Sequence, residues 1–270
     1  MTAASTMGAM GAMGTSAGHL LEVRDLSMRF GGLLAVDGVA LAVKAREIFA
    51  IIGPNGAGKT TVFNCVSGFY RPTTGSIRLD GQSLVGLGSH RVARRGVVRT
   101  FQNVRLFKSM TVLENLLAAQ HAQLSRSVLG GLFNTAGYRR LEREAIARAL
   151  TWLDFMGLRE FVNREAGNLA YGHQRRLEIA RCMITEPRLL LLDEPAAGLN
   201  PQEKKDLQQL IGRLRDEFGV TVLLIEHDMG LVMGVSERIL VLEHGRPIAE
   251  GTPDEVRRNE QVIKAYLGEA

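Results

Sequence analysis

Apolar residues along this chain keep two rhythms, and the change between them divides it into three stretches. From residue 20 to about 80 they come in short runs and alternations, at 21–23, 39–43, 47–52 and 76–79, the last closed by a turn at Asp80 and Gly81. Short apolar runs bounded by turn formers predict strands. From about 89 to 186 the spacing lengthens to three and four residues. This predicts helices over 111–123, 138–156 and 174–185, with Pro187 stopping the last. Strand-like runs return at 189–192, 220–225 and 239–242, with helical stretches between them. That alternation buries a parallel sheet beneath helices on both faces. A final helix carries its own start signal: Thr252 can cap it, Pro253 suits the first helical position and Glu255 can reach back to the cap. The pattern predicts an α/β fold with a strand-rich opening and a helical block, 89–186, inserted into the sheet-forming chain.

Composition changes this picture only at the edges. Residues 1–19 are rich in Ala, Gly, Met, Ser and Thr, with no charge before His19 and no continuous apolar block. A disordered leader is expected there rather than a secretory signal, which leaves 20–270 as the folded domain. A chain of 270 residues suits one large domain with subdomains, not two of equal rank. No apolar run approaches the roughly 18 residues of a membrane-spanning helix, so the chain is expected to stay on the cytoplasmic side of any membrane it serves. Its net charge is +5, but the basic residues are scattered and the one local cluster, 91–99, is short. Without interleaved aromatics that cluster reads as a solvated helix face or a partner contact, and nucleic acid is not expected as a partner. Cys65 and Cys182 lie far apart in apolar helical patterns and are expected as buried free thiols.

The candidate chemistry begins directly after the apolar run 48–52. Gly53, Pro54, Asn55, Gly56, Ala57, Gly58, Lys59, Thr60 and Thr61 fit G-x-x-x-x-G-K-[ST] between a predicted strand and a predicted helix. Glycines allow the backbone to turn tightly with its N–H groups inward, and the following helix adds its positive end, so the run is a phosphate cradle. Lys59 is expected on the β- and γ-phosphates of a nucleoside triphosphate, and the Thr60 hydroxyl on Mg²⁺. The buried strand 189–192 runs into Asp193 and Glu194, where loops at the carboxyl end of a parallel sheet bind ligand. Asp193 is expected to complete the Mg²⁺ shell, and Glu194 to accept a proton from attacking water. His227 follows another strand, where it can reach the γ-phosphate, and Gln102 is expected to touch Mg²⁺ or the water.

These residues resemble the ATP-binding subunits of ABC transporters over roughly 20–270. The decisive stretch is 168–176, Asn-Leu-Ala-Tyr-Gly-His-Gln-Arg-Arg, which is similar to the family signature L-S-G-G-Q at the head of a helix. The resemblance implies a P-loop NTPase core, a mixed and largely parallel sheet flanked by helices, with an antiparallel β subdomain and an inserted α-helical subdomain. It implies ATP and Mg²⁺ as ligands. Phe30 becomes the aromatic that stacks on adenine, Gln102 and His227 the Q-loop and switch residues, and 197–200 the loop that reads the opposite subunit. Leu169, Ala170, Tyr171, Gly172 and His173 become the signature that closes over the ATP of a second subunit. Three positions depart from the general pattern: Ala170 replaces Ser, Tyr171 replaces Gly and His173 replaces Gln. The first loses a hydroxyl to the γ-phosphate, while Gly172, backbone N–H groups and the helix end remain to hold it.

The wording A-Y-G-x-Q-R-R-L-E-I-A-R narrows the likeness to LivG-type ATPases of branched-chain amino acid uptake. The implied partners are transmembrane permease subunits, a second ABC ATPase subunit, identical or a sister, and indirectly an extracytoplasmic substrate-binding protein. The implied place is the cytoplasmic face of a bacterial inner membrane. Coupling to the permease is expected through 102–110, with Val104, Leu106 and Phe107 exposed. Importers of urea, short amides or other amino acids use similar ATPases and stay open as alternatives. A non-transport ABC ATPase would need a coiled-coil insertion, a second cassette or a basic tail. A small-molecule kinase would leave the signature and His227 unexplained.

Overall fold

In the computed structural model, residues 18–121 and 136–267 are described. The leader 1–17, the stretch 122–135 and the final three residues, 268–270, lie outside them. Two sheets carry the architecture. Strands β1 (His19–Phe30), β2 (Leu33–Lys44), β4 (Thr74–Leu79) and β5 (Gln82–Ser83) form an antiparallel sheet in the order β2-β1-β4-β5. The second sheet has the order β10-β9-β3-β8-β7-β6, from β3 (Ile48–Ile52), β6 (Val97–Arg99), β7 (Leu189–Asp193), β8 (Thr221–Ile225), β9 (Arg238–Glu243) and β10 (Arg246–Gly251). Its pairs are parallel except for β9 with β10.

The continuous apolar runs of β3, β7 and β8 are explained by burial on both faces. Ile48, Ala50 and Ile52 enter one core, with Leu190, Leu192, Val222 and Leu224, against helices. Phe49 and Ile51 enter the other, with Leu189, Leu191, Leu223 and Ile225, against the antiparallel sheet and α1 (Lys59–Val66). Each fully buried Leu or Ile contributes about 1.5–3 kcal/mol, so the central strands are the most heavily anchored part of the chain. Their order sets the site: β3, β8 and β7 lie side by side, and the carboxyl ends of these parallel strands open onto one edge.

The inserted block differs from its expected outline. The stretch 89–186 begins with α2 (Ser89–Arg94) and then contributes β6, which pairs in parallel with β7 as an edge of the main sheet. Val92 and Val97 belong to the core shared with the antiparallel sheet. The helical unit is therefore made from three later helices, α3 (Val112–His121), α4 (Ala136–Phe155) and α5 (Tyr171–Met183). Gln120 Nε2 donates to the Ala145 carbonyl at 3.0 Å and ties α3 to α4. Asn115, fully buried, accepts from Phe107 N and donates to Phe107 O, both at 3.0 Å, and so folds the loop before α3 back onto that helix.

Beyond β7 come α6 (Pro201–Phe218), α7 (Met229–Val235), α8 (Pro253–Arg258) and α9 (Glu260–Leu267). Helix α8 has the capping box read from Thr252 and Glu255. Two backbone and hydroxyl bonds from Thr252 hold the Glu255 carboxyl below its ordinary range. Among the described residues, no helix is long and apolar enough to cross a membrane.

Candidate functional site

The cradle after β3 is shaped by close approaches that only glycine permits. At Gly53, φ is +147° and an added Cβ would lie 2.0 Å from the Leu242 carbonyl oxygen of β9. At Gly58, φ is +93° and a Cβ would lie 2.7 Å from the Ala35 carbonyl oxygen. Gly58 is also the N-cap of α1 and supplies no side-chain acceptor, so the first N–H groups of that helix face the cradle uncapped. Lys59 is buried, and its Nζ donates to the carbonyls of Gly53 at 2.7 Å and Pro54 at 2.8 Å. Burial lowers the lysine from its ordinary value, while the charge of Glu194 acts in the opposite direction. A cavity of about 400 Å³ opens above this loop, lined by its residues from Asn55 onward, by Leu33, Leu34 and Ala35 of β2, and by Glu194 and His244.

Asp193 closes β7 and is buried. Its Oδ2 pairs with Arg99 at 2.5 Å, and the same guanidinium donates to Asn64 Oδ1 at 2.7 Å. Asn64 stands one helical turn after Thr60 on α1, so the Arg99 bridge places Asp193 beside the Thr60 face of that helix. Glu194 leaves the strand with φ of +46°, a left-handed conformation that is costly for a residue with a side chain. Its N–H bonds the Ile225 carbonyl at 2.9 Å, and Gln102 Nε2 donates to its Oε2 at 2.8 Å. His227, well exposed after β8, has Nδ1 3.8 Å from Glu194 Oε2, near enough to close on it but outside hydrogen-bond length. The structure thus gathers Lys59, Asp193, Glu194, Gln102 and His227 at one sheet edge. Gln102 presents its amide N–H to Glu194.

The sequence pattern did not single out three features of this site. Leu33, Leu34 and Ala35 line the cavity because β2 passes over Gly58, an approach no local pattern announces. His244 arrives from the β9–β10 turn, held near by the Gly245 N–H bond to the Ala57 carbonyl at 3.2 Å. Glu226 is fully buried and accepts from Ala196 N at 2.6 Å, His227 N at 2.9 Å and Asp228 N at 3.1 Å. It fastens the loop after Glu194 to the loop that carries His227. An acid directly after four apolar strand residues, Val222 to Ile225, was the signal available for it.

The remaining predicted residues sit elsewhere. Phe30 ends β1 with its ring 41% exposed, edge-on to Tyr70 at 5.3 Å between centroids. Ala170 is the N-cap of α5 without a side-chain cap bond. Leu169 and Gly172 are buried, and a Cβ at Gly172 would lie 2.5 Å from Glu203 Oε1 of α6. Tyr171 lies against Gly198, whose added Cβ would meet the Tyr171 ring at 3.1 Å. The His173 ring packs on Phe161 at 4.8 Å. None of residues 169–173 lines the cradle cavity. Gly172 and His173 border a separate cleft with Leu199 and Glu203.

A family model described as ABC transporter matches residues 36–197, which span the cradle, the acids and the helical unit. The chain belongs to the ABC transporter family. A second model, for a branched-chain amino acid ATP-binding cassette transporter, matches 246–270. The chain is 64% identical over 251 residues to the high-affinity branched-chain amino acid transport ATP-binding protein BraF of Pseudomonas aeruginosa, covering 93% of this chain and 98% of that one. It is 61% identical, with the same coverage, to LivG of Escherichia coli strain K12. Among solved structures it is similar to an ATP-binding cassette of an ABC transporter in its ADP conformation, with TM-score 0.80, 31% identity and coverage of 93% and 99%. It is also similar to a dimeric ATP-binding cassette in a post-hydrolysis state bound to ADP and Pi, with TM-score 0.73, 25% identity and coverage of 86% and 98%.

As an ABC ATPase, the protein binds and hydrolyses ATP. The cradle fits that substrate: Gly53 and Gly58 have no room for Cβ atoms, and uncapped helix N–H groups and a buried lysine converge on it. The donor set for Mg²⁺ is small. Among the described residues, no cluster of three or more His, Cys, Asp or Glu is placed to hold a metal. The donors at hand are the exposed Thr60, the Asp193 oxygen that Arg99 does not hold and the Gln102 amide oxygen, whose nitrogen partner bonds Glu194. So sparse a set fits an ion held largely by phosphate oxygens and water.

Proposed function

We propose that this chain is the ATP-hydrolysing subunit of an importer for branched-chain amino acids, working at the cytoplasmic face of the inner membrane. The observation that carries the catalytic part is the contact of Gln102 with Glu194 at the mouth of the cradle that holds Lys59. Phe30 and the β2 residues over the loop receive the adenosine end of ATP. The N–H groups of 53–61 and Lys59 hold the phosphates, with Lys59 exchanging its two carbonyl bonds for phosphate oxygens. Thr60, Asp193 and the Gln102 amide oxygen would hold Mg²⁺, which when bound would neutralise phosphate charge.

Glu194 orients water in line with the γ-phosphate and takes its proton. Gln102 keeps the carboxylate aimed, and His227, whose Nδ1 lies 3.8 Å from Glu194 Oε2, reaches the γ-phosphate. Lys59 and the loop N–H groups stabilise the charge that develops. The signature residues 169–173 do not line this cavity, which supports their acting on ATP held by a second subunit. That subunit is another copy or a sister ATPase.

Permease subunits dock on 102–110. There Phe107 and Met110 are 48% and 39% exposed, whereas Val104 is half-buried and Leu106 packs against the core. A substrate-binding protein selects cargo outside, and the assignment of branched-chain amino acids is supported by the relatives' names. In proteoliposomes containing the permease and binding protein, leucine uptake is expected to require ATP and to fall at least about 100-fold with Glu194→Gln. ATP-driven uptake of urea or a short amide in place of leucine would overturn the cargo assignment.

A further inference from the structure

The segment that carries Gln102 is gripped by a buried ion pair on the signature helix. Arg175 on α5 is 1% exposed. Its Nη1 donates to the Phe101 carbonyl at 2.7 Å and to Glu178 Oε2 at 2.8 Å. Its Nη2 donates to the Gln102 carbonyl at 2.8 Å and to the Tyr171 hydroxyl at 3.0 Å. Glu178, itself buried, uses Oε1 to accept from Phe101 N at 3.4 Å and Arg105 N at 3.1 Å. Two side chains one helical turn apart therefore bond both carbonyls and N–H groups of 101–105. Tyr171 continues the chain of contacts to Gly198 in the loop after Glu194.

Such a pair is expensive to bury, and its attraction offsets the desolvation only when most of its hydrogen bonds are made. Here the fork geometry of a guanidinium reaches two carbonyls, a carboxylate and a phenol at once, which a point charge cannot do. We propose that Arg175, held by Glu178, is a positioning residue that joins the signature helix to the Gln102 segment, so that Gln102 meets Glu194 only when signature and segment move as one piece. This rests on the reading of Gln102 and Glu194 as parts of the hydrolytic site. The consequence is a mechanical one. A push on the docking segment 102–110 reaches Glu194 through Gln102 and the signature through Arg175 at the same time.

The test is a double-mutant cycle on the full chain with Mg²⁺ and ATP. Arg175→Met and Glu178→Leu are made together so that no unpaired buried charge remains, and are combined with Gln102→Ala. Alone, Gln102→Ala is expected to lower kcat at least about tenfold with KM changed less than about threefold. The paired variant is expected to lower kcat by a similar factor with KM again retained, and adding Gln102→Ala to it costs less than about twofold more. A loss from Gln102→Ala that is equally large in both backgrounds would overturn the coupling and leave the pair a structural one. No loss from Gln102→Ala in the parent chain would overturn the reading of Gln102 itself, and the proposal with it. Should the paired variant fail to fold, Arg175→Lys enters the same cycle. It keeps the charge beside Glu178 but not the fork, and at least about threefold non-additivity is expected.

Discussion

The cradle and the signature stretch 169–173, which we propose as the two walls of an ATP site, are built by opposite means within this chain. The cradle is local: a run of consecutive residues, shaped by backbone torsions and by glycines pressed against Leu242 and Ala35. The signature is held from a distance, by Glu203 behind Gly172, Gly198 beneath Tyr171 and the Arg175 bonds to the Gln102 segment. A wall of backbone keeps its shape when side chains elsewhere change. A wall held by contacts with three other segments can move with any of them, which suits the proposed response to a membrane partner.

The most costly substitution is expected beside the cradle. Arg99→Ala is expected to cost about 3–5 kcal/mol, because it leaves the Asp193 carboxylate buried without its partner. Chemical denaturation should show it as a lowered midpoint with unchanged slope. On the cradle side, Gly58→Ala meets both a positive φ and the Ala35 carbonyl oxygen. It should cost about 1–3 kcal/mol and weaken ATP binding measured by calorimetry, whereas the signature wall keeps its hydrogen–deuterium exchange protection.

Phe30→Ala removes an exposed ring from the proposed adenosine end. An affinity loss for ATP of about five- to a hundred-fold, with the triphosphate moiety still bound, is the expected outcome, taking base–aromatic stacking at about 1–3 kcal/mol. Ala170→Ser sharpens the other side, since Ala170 caps α5 without a side-chain bond. A serine there should raise stability by about 0.5–1 kcal/mol in thermal melts. The smallest effect is on the thiols. Burial pushes Cys65 up to about 11 and Cys182 up to about 12, so a maleimide at a pH of about 8 should label neither until the chain unfolds.

Much of this was legible before the fold was known, and the exceptions share a cause. The cradle, Asp193, Glu194 and His227 each follow an apolar run that ends in polar residues, and strand ends are visible in a linear pattern. Strand β6 was not, because Val97, Val98 and Arg99 are too few to show a period and lie inside a helical stretch. Leu33, Leu34, Ala35 and His244 enter the cavity through pairings between distant strands. Arg175 and Glu178 read in sequence as an ordinary i, i+3 pair on a helix. Only the packing of α5 against the Gln102 segment turned them inward. Local chemistry was readable, and the connections that hold two local chemistries in register were not.

In the proposed mechanism Glu194 performs the proton transfer at a cradle that binds ATP without it. Glu194→Gln in the full chain, followed by ATP binding and by phosphate release in a single turnover, tests it most directly. ATP affinity is expected to stay within about twofold while phosphate release falls by about 100-fold or more. Undiminished phosphate release from that variant would show that Glu194 is not the base.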